Sequence, residues 1–202
     1  LALKSRAASI SYTYTEPTIY FEFAYDTAKL AHEKGIKNVF VTNGYMTSEA
    51  LEMISPWLDA ANVDLKAYNT DFYKKYCGAK LSRVKETLEM MKKLNIFMEI
   101  TTLLIPGLND NNEEIEALAA YIKNTLGPGT PWHISRFHPT YRLTDLPPTP
   151  LKTILNARKT GIDAGLKYVY SGNVHGEEGE NTICPGCENR LITRWGFQVR
   201  EN

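Results

Sequence analysis

The chain has 202 residues, of which 43% are hydrophobic and 23% are charged, and this balance excludes a disordered polypeptide. Lysine plus arginine and aspartate plus glutamate number 23 each, so the zero formal net charge argues against nucleic acid or an anionic membrane as the partner. No apolar run reaches the roughly 18 residues that a membrane span needs. Three cysteines are too few for a disulfide framework, and we therefore expect a cytoplasmic protein.

The first residues fit the end of a helix that has no visible beginning. Ala2, Leu3 and Ala7 are spaced as in the last turns of a helix, and neither methionine nor a signal segment opens the chain. We interpret the sequence as a piece of a longer protein. A short, processed N-terminus is the alternative.

Short runs of β-forming residues alternate with helical patterns along the chain. We predict strands over residues 9–14, 38–42, 61–65, 96–105, 132–137 and 168–170. We predict helices over residues 18–34, from 47 onward, and over 70–76, 81–94, 113–125 and 150–164. This order predicts a parallel sheet covered by helices, either open or closed into a barrel, with its function at the C-terminal ends of the strands.

The first two predicted strands end in residues that suit a ligand site. Glu16 follows the first strand and offers a carboxylate to a ligand ammonium. The alternative is a helix start, with Thr15 as the cap and Pro17 in the first turn. Asn43 and Gly44 follow the second strand, where glycine permits close backbone approach to a ligand or simply an ordinary turn.

The third and fourth predicted strands carry polar side chains on one face. Asp64 and Lys66 are two residues apart and so share a face. A charged pair at the end of an apolar strand indicates a ligand or cation site, and a structural ion pair is the alternative. Glu99, Thr101 and Leu103 also share a face, which forms either a site wall or a half-polar barrel interior.

The fifth predicted strand ends in basic residues. His133 and Arg136 lie within it, and His138 lies just past its end. A single histidine is more often structural than functional. Five consecutive polar strand ends nevertheless favour one shared site.

Several longer strings of the sequence resemble a known enzyme family. Residues 9–65 and 99–110 resemble the barrel of radical S-adenosylmethionine (SAM) enzymes, close to the branch that activates glycyl-radical enzymes. More narrowly, six segments resemble the radical SAM member of the AmmeMemoRadiSam system: residues 11–17, 41–46, 62–66, 101–110, 132–141 and 168–187. The resemblance implies a partial TIM-like (β/α)6 barrel without its first strand over residues 1–171, and a zinc-ribbon-like arm over residues 172–202.

The same resemblance implies which residues bind SAM. Residues 14–17, Tyr-Thr-Glu-Pro, stand where the family has the Gly-Gly-Glu-Pro motif that binds the amino group of SAM, so both glycines are replaced here. The implied cofactor contacts are Tyr14, Thr15, Glu16, Thr42, Asn43, Asp64, Lys66, Thr101 and His138. Asp64 and Lys66 match a charged element beside the methionine carboxylate. Arg136 and Tyr141 are less direct predictions for substrate contact.

The cysteines depart from the family pattern. The resemblance implies a [4Fe–4S] cluster held by a Cys-x-x-x-Cys-x-x-Cys loop, and this loop does not occur in the sequence. Cys77 is isolated, so we expect this chain alone to be inactive. Cys184 and Cys187 form half of a zinc knuckle, with His175 as a weaker ligand candidate. The resemblance implies a second cysteine pair downstream, and free thiols or a local disulfide are the alternatives.

Three functions remain open on the sequence. The first is a radical SAM enzyme that cleaves SAM to a 5′-deoxyadenosyl radical and takes hydrogen from an unknown substrate, with protein partners of its own system as an option. The second is an activating enzyme whose substrate is a glycyl-radical protein. The third is a non-catalytic barrel that binds a nucleotide or a protein partner.

Overall fold

The structure is a computed structural model, and it describes residues 1–174, 176, 178–196 and 198–202. His175, the weaker zinc-ligand candidate, lies outside the described residues. Strands and helices alternate along most of the chain, as predicted. No helix in the described ranges is both long enough and apolar enough to cross a membrane.

The strands of the main sheet are short and separated by helices. In chain order the elements are α1 (Ala2–Ser5), β1 (Ser9–Tyr12), α2 (Phe21–His32), β2 (Lys37–Thr42), α3 (Ser48–Ile54), β3 (Ala60–Asp64), α4 (Thr70–Phe72), α5 (Leu81–Lys93), β4 (Phe97–Leu104), α6 (Asn112–Tyr121), β5 (Trp132–Arg136), α7 (Leu151–Asp163) and β6 (Val169–Gly172). π-Helical turns follow α4 and α6, over Tyr73–Cys77 and Ile122–Leu126.

The six strands follow the order β1-β2-β3-β4-β5-β6, with β1 and β6 at the two ends. The pairings with a defined register are parallel, and each joins strands that are consecutive in the chain. Parallel neighbours need crossover connections, and the helices provide them. The fold class is therefore the predicted α/β class of a partial barrel.

The chain divides into two compact units. The first unit comprises Leu1–Leu65 and Ala79–Glu99. Its strands pair from Ser9↔Lys37 to Tyr12↔Phe40 and from Val39↔Ala60 to Thr42↔Val63. Its large, fully buried side chains include Phe40 on β2, Leu51 and Ile54 on α3, and Leu88 and Met91 on α5.

The second unit comprises Lys66–Gly78 and Ile100–Asn202. Its strands pair from Ile100↔Trp132 to Leu104↔Arg136 and from Trp132↔Val169 to Ser135↔Gly172. Trp132 is fully buried, and its indole N–H donates to Thr102 Oγ1 over 3.0 Å. The hydrogen bond satisfies the one polar group of the largest side chain in this core.

The C-terminal arm is a small antiparallel sheet. It contains β7 (Thr182–Ile183), β8 (Arg190–Trp195) and β9 (Gln198–Glu201) in the order β7-β8-β9. β8 pairs antiparallel with both β7 and β9. The division of the chain into residues 1–171 and 172–202 stays a prediction.

Candidate functional site

The carboxylate of Glu16 is the centre of a hydrogen-bond network in the first unit. Glu16 lies in the connection between β1 and α2 and is only 8% exposed. Its Oε1 accepts from Thr42 Oγ1 at 2.7 Å and from Thr18 Oγ1 at 3.2 Å, and its Oε2 accepts from the Asn43 amide at 2.8 Å. The network ties the connection after β1 to the end of β2. Among the described residues, every group that donates a hydrogen bond to this carboxylate is neutral.

The end of β2 is itself held in a tight turn. The Thr42 hydroxyl, which donates to Glu16, also accepts from the Gly44 amide at 3.1 Å. Asn43 Oδ1 accepts from the Tyr45 amide at 2.8 Å. Gly44 has a φ of +70°, and a Cβ there would lie 2.7 Å from Val63 Cγ1. Only glycine therefore fits this turn without strain.

The two residues just before Glu16 are exposed and have an unusual backbone conformation. Tyr14 is 93% exposed and has a φ of +43°, and the Tyr14–Thr15 peptide bond is cis. A positive φ is a conformation that glycine adopts at no steric cost. Tyr14 therefore keeps a backbone of the kind that a glycine-containing motif would have at this position.

Two tyrosines flank this connection in the chain, and each donates one hydrogen bond. The Tyr20 hydroxyl donates to the carbonyl of Thr13 at 2.8 Å, and the Tyr12 hydroxyl donates to Asn38 Oδ1 at 2.9 Å. Burial, with a smaller contribution from Tyr20, raises the pKa of Tyr12 to about 12. Burial and then the nearby Glu16 carboxylate raise the pKa of Tyr20. Both hydroxyls therefore remain protonated donors at neutral pH.

The strand ends β3 and β4 show the predicted alternation. Asp64 is the last residue of β3, and it is half-buried, whereas its neighbours Val63 and Leu65 are fully buried. On β4, Thr101 lies on the partly exposed face with Glu99, and Thr102 lies on the buried face. Both strands thus alternate between a buried and a partly exposed face, and Glu99, Thr101 and Leu103 share the partly exposed face of β4 as predicted.

Lys66 begins the second unit, and the backbone around it is tightly bonded. Its amide donates to the Tyr73 hydroxyl at 3.1 Å, and its carbonyl accepts from Asn109 Nδ2 at 2.7 Å. Lys66 itself is half-buried. The sequence patterns indicated neither Tyr73 nor Asn109 as a supporting residue, and for Asn109 the reason is that 43 residues separate it from Lys66.

The end of β5 places its three predicted residues differently. His138 is exposed, and Tyr141 is 82% exposed with a φ of +53°. Arg136 is half-buried, and its Nε donates to the carbonyl of Thr149 at 2.7 Å. Part of the donor capacity of Arg136 thus holds the connection after β5.

The arm holds Cys184 and Cys187 as free thiols next to each other. The amides of Gly186 and Cys187, and then the Cys187 thiol, donate to the Cys184 sulfur and lower the pKa of that thiol. Among the residues described, no three or more His, Cys, Asp or Glu side chains group so that they could hold a metal ion. A structural zinc site uses four ligands, and zinc at these two thiols stays a prediction.

Comparison with known proteins gives one family. The radical SAM superfamily matches residues 2–122 of the chain. The uncharacterized protein MJ0808 of Methanocaldococcus jannaschii is 50% identical over 200 residues, which are 99% of this chain and 59% of MJ0808. The pyruvate formate-lyase-activating enzyme of Clostridium pasteurianum is 30% identical over 103 residues, which are 51% of this chain and 43% of that enzyme. The chain thus spans about half the length of these relatives.

A solved structure shares the fold. A domain of the pyruvate-formate lyase-activating enzyme from Bacteroides vulgatus ATCC 8482 superposes with a TM-score of 0.71 at 16% identity. The match covers 81% of this chain and 98% of that domain. The sequence match over residues 2–122 and the shared fold agree, and the chain therefore belongs to the radical SAM superfamily.

Proposed function

We propose that this chain carries SAM-binding residues of a radical SAM enzyme. In that chemistry one electron enters the sulfonium of SAM, and the bond from sulfur to C5′ breaks to give methionine and a 5′-deoxyadenosyl radical. The radical then takes a hydrogen atom from a substrate. The family implies a [4Fe–4S] cluster as the electron source. Cys77, Cys184 and Cys187 do not have the spacing of its ligand loop, so the part we assign to this chain is to hold SAM.

The observation that carries the proposal is the environment of Glu16. The Glu16 carboxylate is 8% exposed and accepts hydrogen bonds only from neutral donors, so it lies in a poorly solvated place. A cationic ligand would compensate that charge. SAM offers a protonated amino group, and Glu16 Oε2 accepts a hydrogen bond from the Asn43 amide, which is one of the two that a carboxylate oxygen can take.

The remaining assignments follow the family resemblance. In the first unit, we assign the backbone of Tyr14 and Thr15 to the amino group of SAM, and Thr42 and Asn43 to its carboxylate and ribose. The Thr42 hydroxyl and the Asn43 amide are already oriented by Glu16, so the same network that holds the loop also orients these groups.

The resemblance also assigns polar residues that follow β3, β4 and β5. Asp64 and Lys66 are assigned to the methionine carboxylate, where the ammonium would pair with the anion. Thr101 and His138 are assigned to SAM as well. Arg136 and Tyr141 stay predictions for the substrate, and the hydrogen bond from Arg136 to Thr149 supports a role in shaping that loop.

Binding of SAM to the whole protein, reconstituted anaerobically with its cluster, tests the proposal. We expect Glu16→Gln to weaken SAM binding about tenfold or more by calorimetry, because the substitution removes the charge with almost no change in shape. Glu22→Gln is the matched control, since Glu22 is exposed in the first turn of α2. Equal affinity of Glu16→Gln and wild type would contradict the role of Glu16. A wild-type protein that neither binds nor reductively cleaves SAM would contradict the function itself.

A second candidate is the activation of a glycyl-radical enzyme. It is favoured by the similarity to the activating enzymes of Clostridium pasteurianum and Bacteroides vulgatus. Incubation of the reduced whole protein with SAM and glycyl-radical proteins from the same organism, followed by electron paramagnetic resonance, separates the two candidates. A glycyl-radical signal supports activation. SAM cleavage without that signal favours a different hydrogen donor, as in the narrower resemblance to the AmmeMemoRadiSam system.

A further inference from the structure

Three buried side chains from different segments of the second unit hold the backbone around Lys66. The Lys66 amide donates to Tyr73 Oη at 3.1 Å, and the Lys66 carbonyl accepts from Asn109 Nδ2 at 2.7 Å. Two residues further on, the Tyr68 amide donates to Glu114 Oε1 at 2.9 Å. Tyr73, Asn109 and Glu114 are each less than 9% exposed. These backbone groups are thus fixed by partners that water does not replace.

Asn109 makes the most demanding of these contacts. Its Nδ2 donates to Leu103 O at 2.9 Å as well as to Lys66 O, and its Oδ1 accepts from the Ile105 amide at 2.6 Å. Both amide hydrogens and the carbonyl oxygen are therefore in use. A carboxylate could not donate, and a shorter side chain could not reach both carbonyls. Asparagine thus couples the end of β4 directly to the backbone of Lys66.

We propose that Asn109 is a positioning residue that sets the direction of the Lys66 side chain toward the methionine carboxylate of SAM. The inference rests on the proposed function, in which Lys66 contacts that carboxylate. A lysine side chain has four rotatable bonds, so the region that its ammonium can reach depends on the position and direction of the Cα–Cβ bond that carries it. Bonds at both the amide and the carbonyl of Lys66 fix the direction of its Cα–Cβ bond. The side chain keeps its own rotations, but the region that the ammonium can reach is then fixed relative to Asn109.

A purely structural role of Asn109 makes a different prediction from a positioning role. If Asn109 only stabilises the loop, its removal lowers the free energy of unfolding and affects SAM binding equally with or without Lys66. If it acts through Lys66, its effect on SAM binding depends on that ammonium. A double-mutant cycle separates the two, because residues that act through each other are not additive.

The experiment measures SAM affinity by calorimetry on the reconstituted whole protein. We expect Lys66→Met and Asn109→Ala each to weaken SAM binding about tenfold, and Asn109→Ala to change it by less than twofold in the Lys66→Met background. Asn38→Ala is the matched control. Asn38 is also fully buried, donates to two carbonyls and accepts one hydrogen bond, but it does so at the start of β2. We expect Asn38→Ala to lower the free energy of unfolding about as much as Asn109→Ala does, while its SAM affinity stays within twofold of wild type.

The outcomes distinguish this inference from the proposed function. If the wild-type protein binds SAM and Lys66→Met binds it with the same affinity, the assignment of Lys66 to SAM is overturned. A weakened Lys66→Met with an unaffected Asn109→Ala, or an Asn109→Ala effect of equal size in both backgrounds, would overturn the positioning role alone. Tyr73→Phe removes only the hydroxyl that accepts from Lys66, and it serves if Asn109→Ala does not fold. We expect that variant to bind SAM three- to fivefold more weakly, and again only when Lys66 is present.

Discussion

Gly44 is the residue of the candidate site whose substitution the structure constrains most sharply. Its φ is +70°, and an added Cβ would meet Val63 Cγ1 at 2.7 Å and Val84 Cγ1 at 3.2 Å. Gly35 has almost the same φ, +71°, but nothing within 4 Å of the added Cβ. The two glycines therefore separate the cost of the backbone conformation from the cost of the steric contact.

We expect Gly35→Ala to lower the free energy of unfolding by about 1 kcal/mol, the usual cost of a left-handed alanine. Gly44→Ala should lower it by about 3 kcal/mol, because overpacking against Val63 and Val84 adds to that cost. Urea denaturation followed by circular dichroism measures both values. Equal losses for the two variants would show that the site turn relaxes freely, contrary to the packing described above.

Tyr12 makes stability depend on pH in the alkaline range. Its pKa is raised from 10.0 in the unfolded chain to about 12 in the fold, so the folded state holds its proton when the unfolded state has lost it. The stabilising contribution is complete below pH 10 and is lost as the pH rises through 12. A shift of this size corresponds to about 2 to 3 kcal/mol.

Tyr12→Phe is the variant that checks this pH dependence. At pH 7 it should be less stable by about 1 kcal/mol, because Asn38 Oδ1 loses the donor hydroxyl. Between pH 10 and 12 its stability should fall less steeply than that of wild type in urea denaturation. Parallel pH profiles for the two proteins would show that Tyr12 does not carry the alkaline sensitivity.

At the scale of single residues, only some features of the candidate site could be predicted from the sequence. The acidic residue after β1 and the Thr-Asn-Gly turn after β2 were predicted, because residue type and place are visible in the sequence. The hydrogen bond from the Asn43 main-chain amide to Glu16 was not predicted, because almost every residue type has such an amide. The contacts of Asn109 and Glu114 with residues 66 and 68 were also missed, because no local pattern indicates a partner more than 40 residues away.

At the scale of elements, hydrogen bonds join the two ends of the connection between β5 and α7. We call the bonded pair Phe137 and Thr149 the neck of this loop. The Phe137 amide donates to Thr149 Oγ1 at 3.1 Å, the Thr149 amide donates to Phe137 O at 3.1 Å, and Thr149 Oγ1 donates to Leu104 O at 2.6 Å. Thr149 is fully buried, whereas residues 138–142 are exposed. The neck fixes where the loop that carries His138 and Tyr141 begins and ends.

Thr149→Val should open this neck without a change in side-chain volume. The Phe137 amide loses its acceptor, so we expect its hydrogen exchange to accelerate at least tenfold, which is about 1.4 kcal/mol of local stability. Thr144→Val, in the exposed part of the same loop, should leave that exchange rate unchanged. Exchange followed by nuclear magnetic resonance measures both. Unchanged protection of Phe137 in Thr149→Val would show that Thr149 does not close the neck.

The elements themselves were predicted with different success. The alternation of residue types predicted which side chains share a face of β4. The helix predicted from residue 47 onward corresponds to α3, which begins after Thr47, whose Oγ1 accepts from the Ala50 amide. The helices predicted over residues 70–76 and 113–125 each end in a π-helical turn instead. A single π-helical turn contains too few apolar residues for their spacing to differ from that of an α-helix. The sequence pattern therefore cannot predict where such a turn forms.

At the scale of the whole molecule, the three cysteines lie in contrasting environments. Cys77 ends the π-helical turn after α4, where burial raises its thiol pKa and the nearby Lys66 ammonium only partly opposes this. Cys184 lies in the C-terminal arm, where the amides of Gly186 and Cys187 lower its thiol pKa.

This contrast predicts the order in which the thiols react. The thiolate is the reactive form, so a lower pKa moves alkylation to lower pH and a higher pKa moves it to higher pH. At pH 7 iodoacetamide should modify Cys184 at least tenfold faster than Cys77, and the ratio should narrow as the pH rises, as measured by mass spectrometry of peptides. Cys187→Ala removes the thiol donor but keeps the amide donors, and it should move the Cys184 profile slightly upward in pH. Identical pH profiles for Cys77 and Cys184 would contradict the two environments, because the amide donors would then not stabilise a thiolate in the arm.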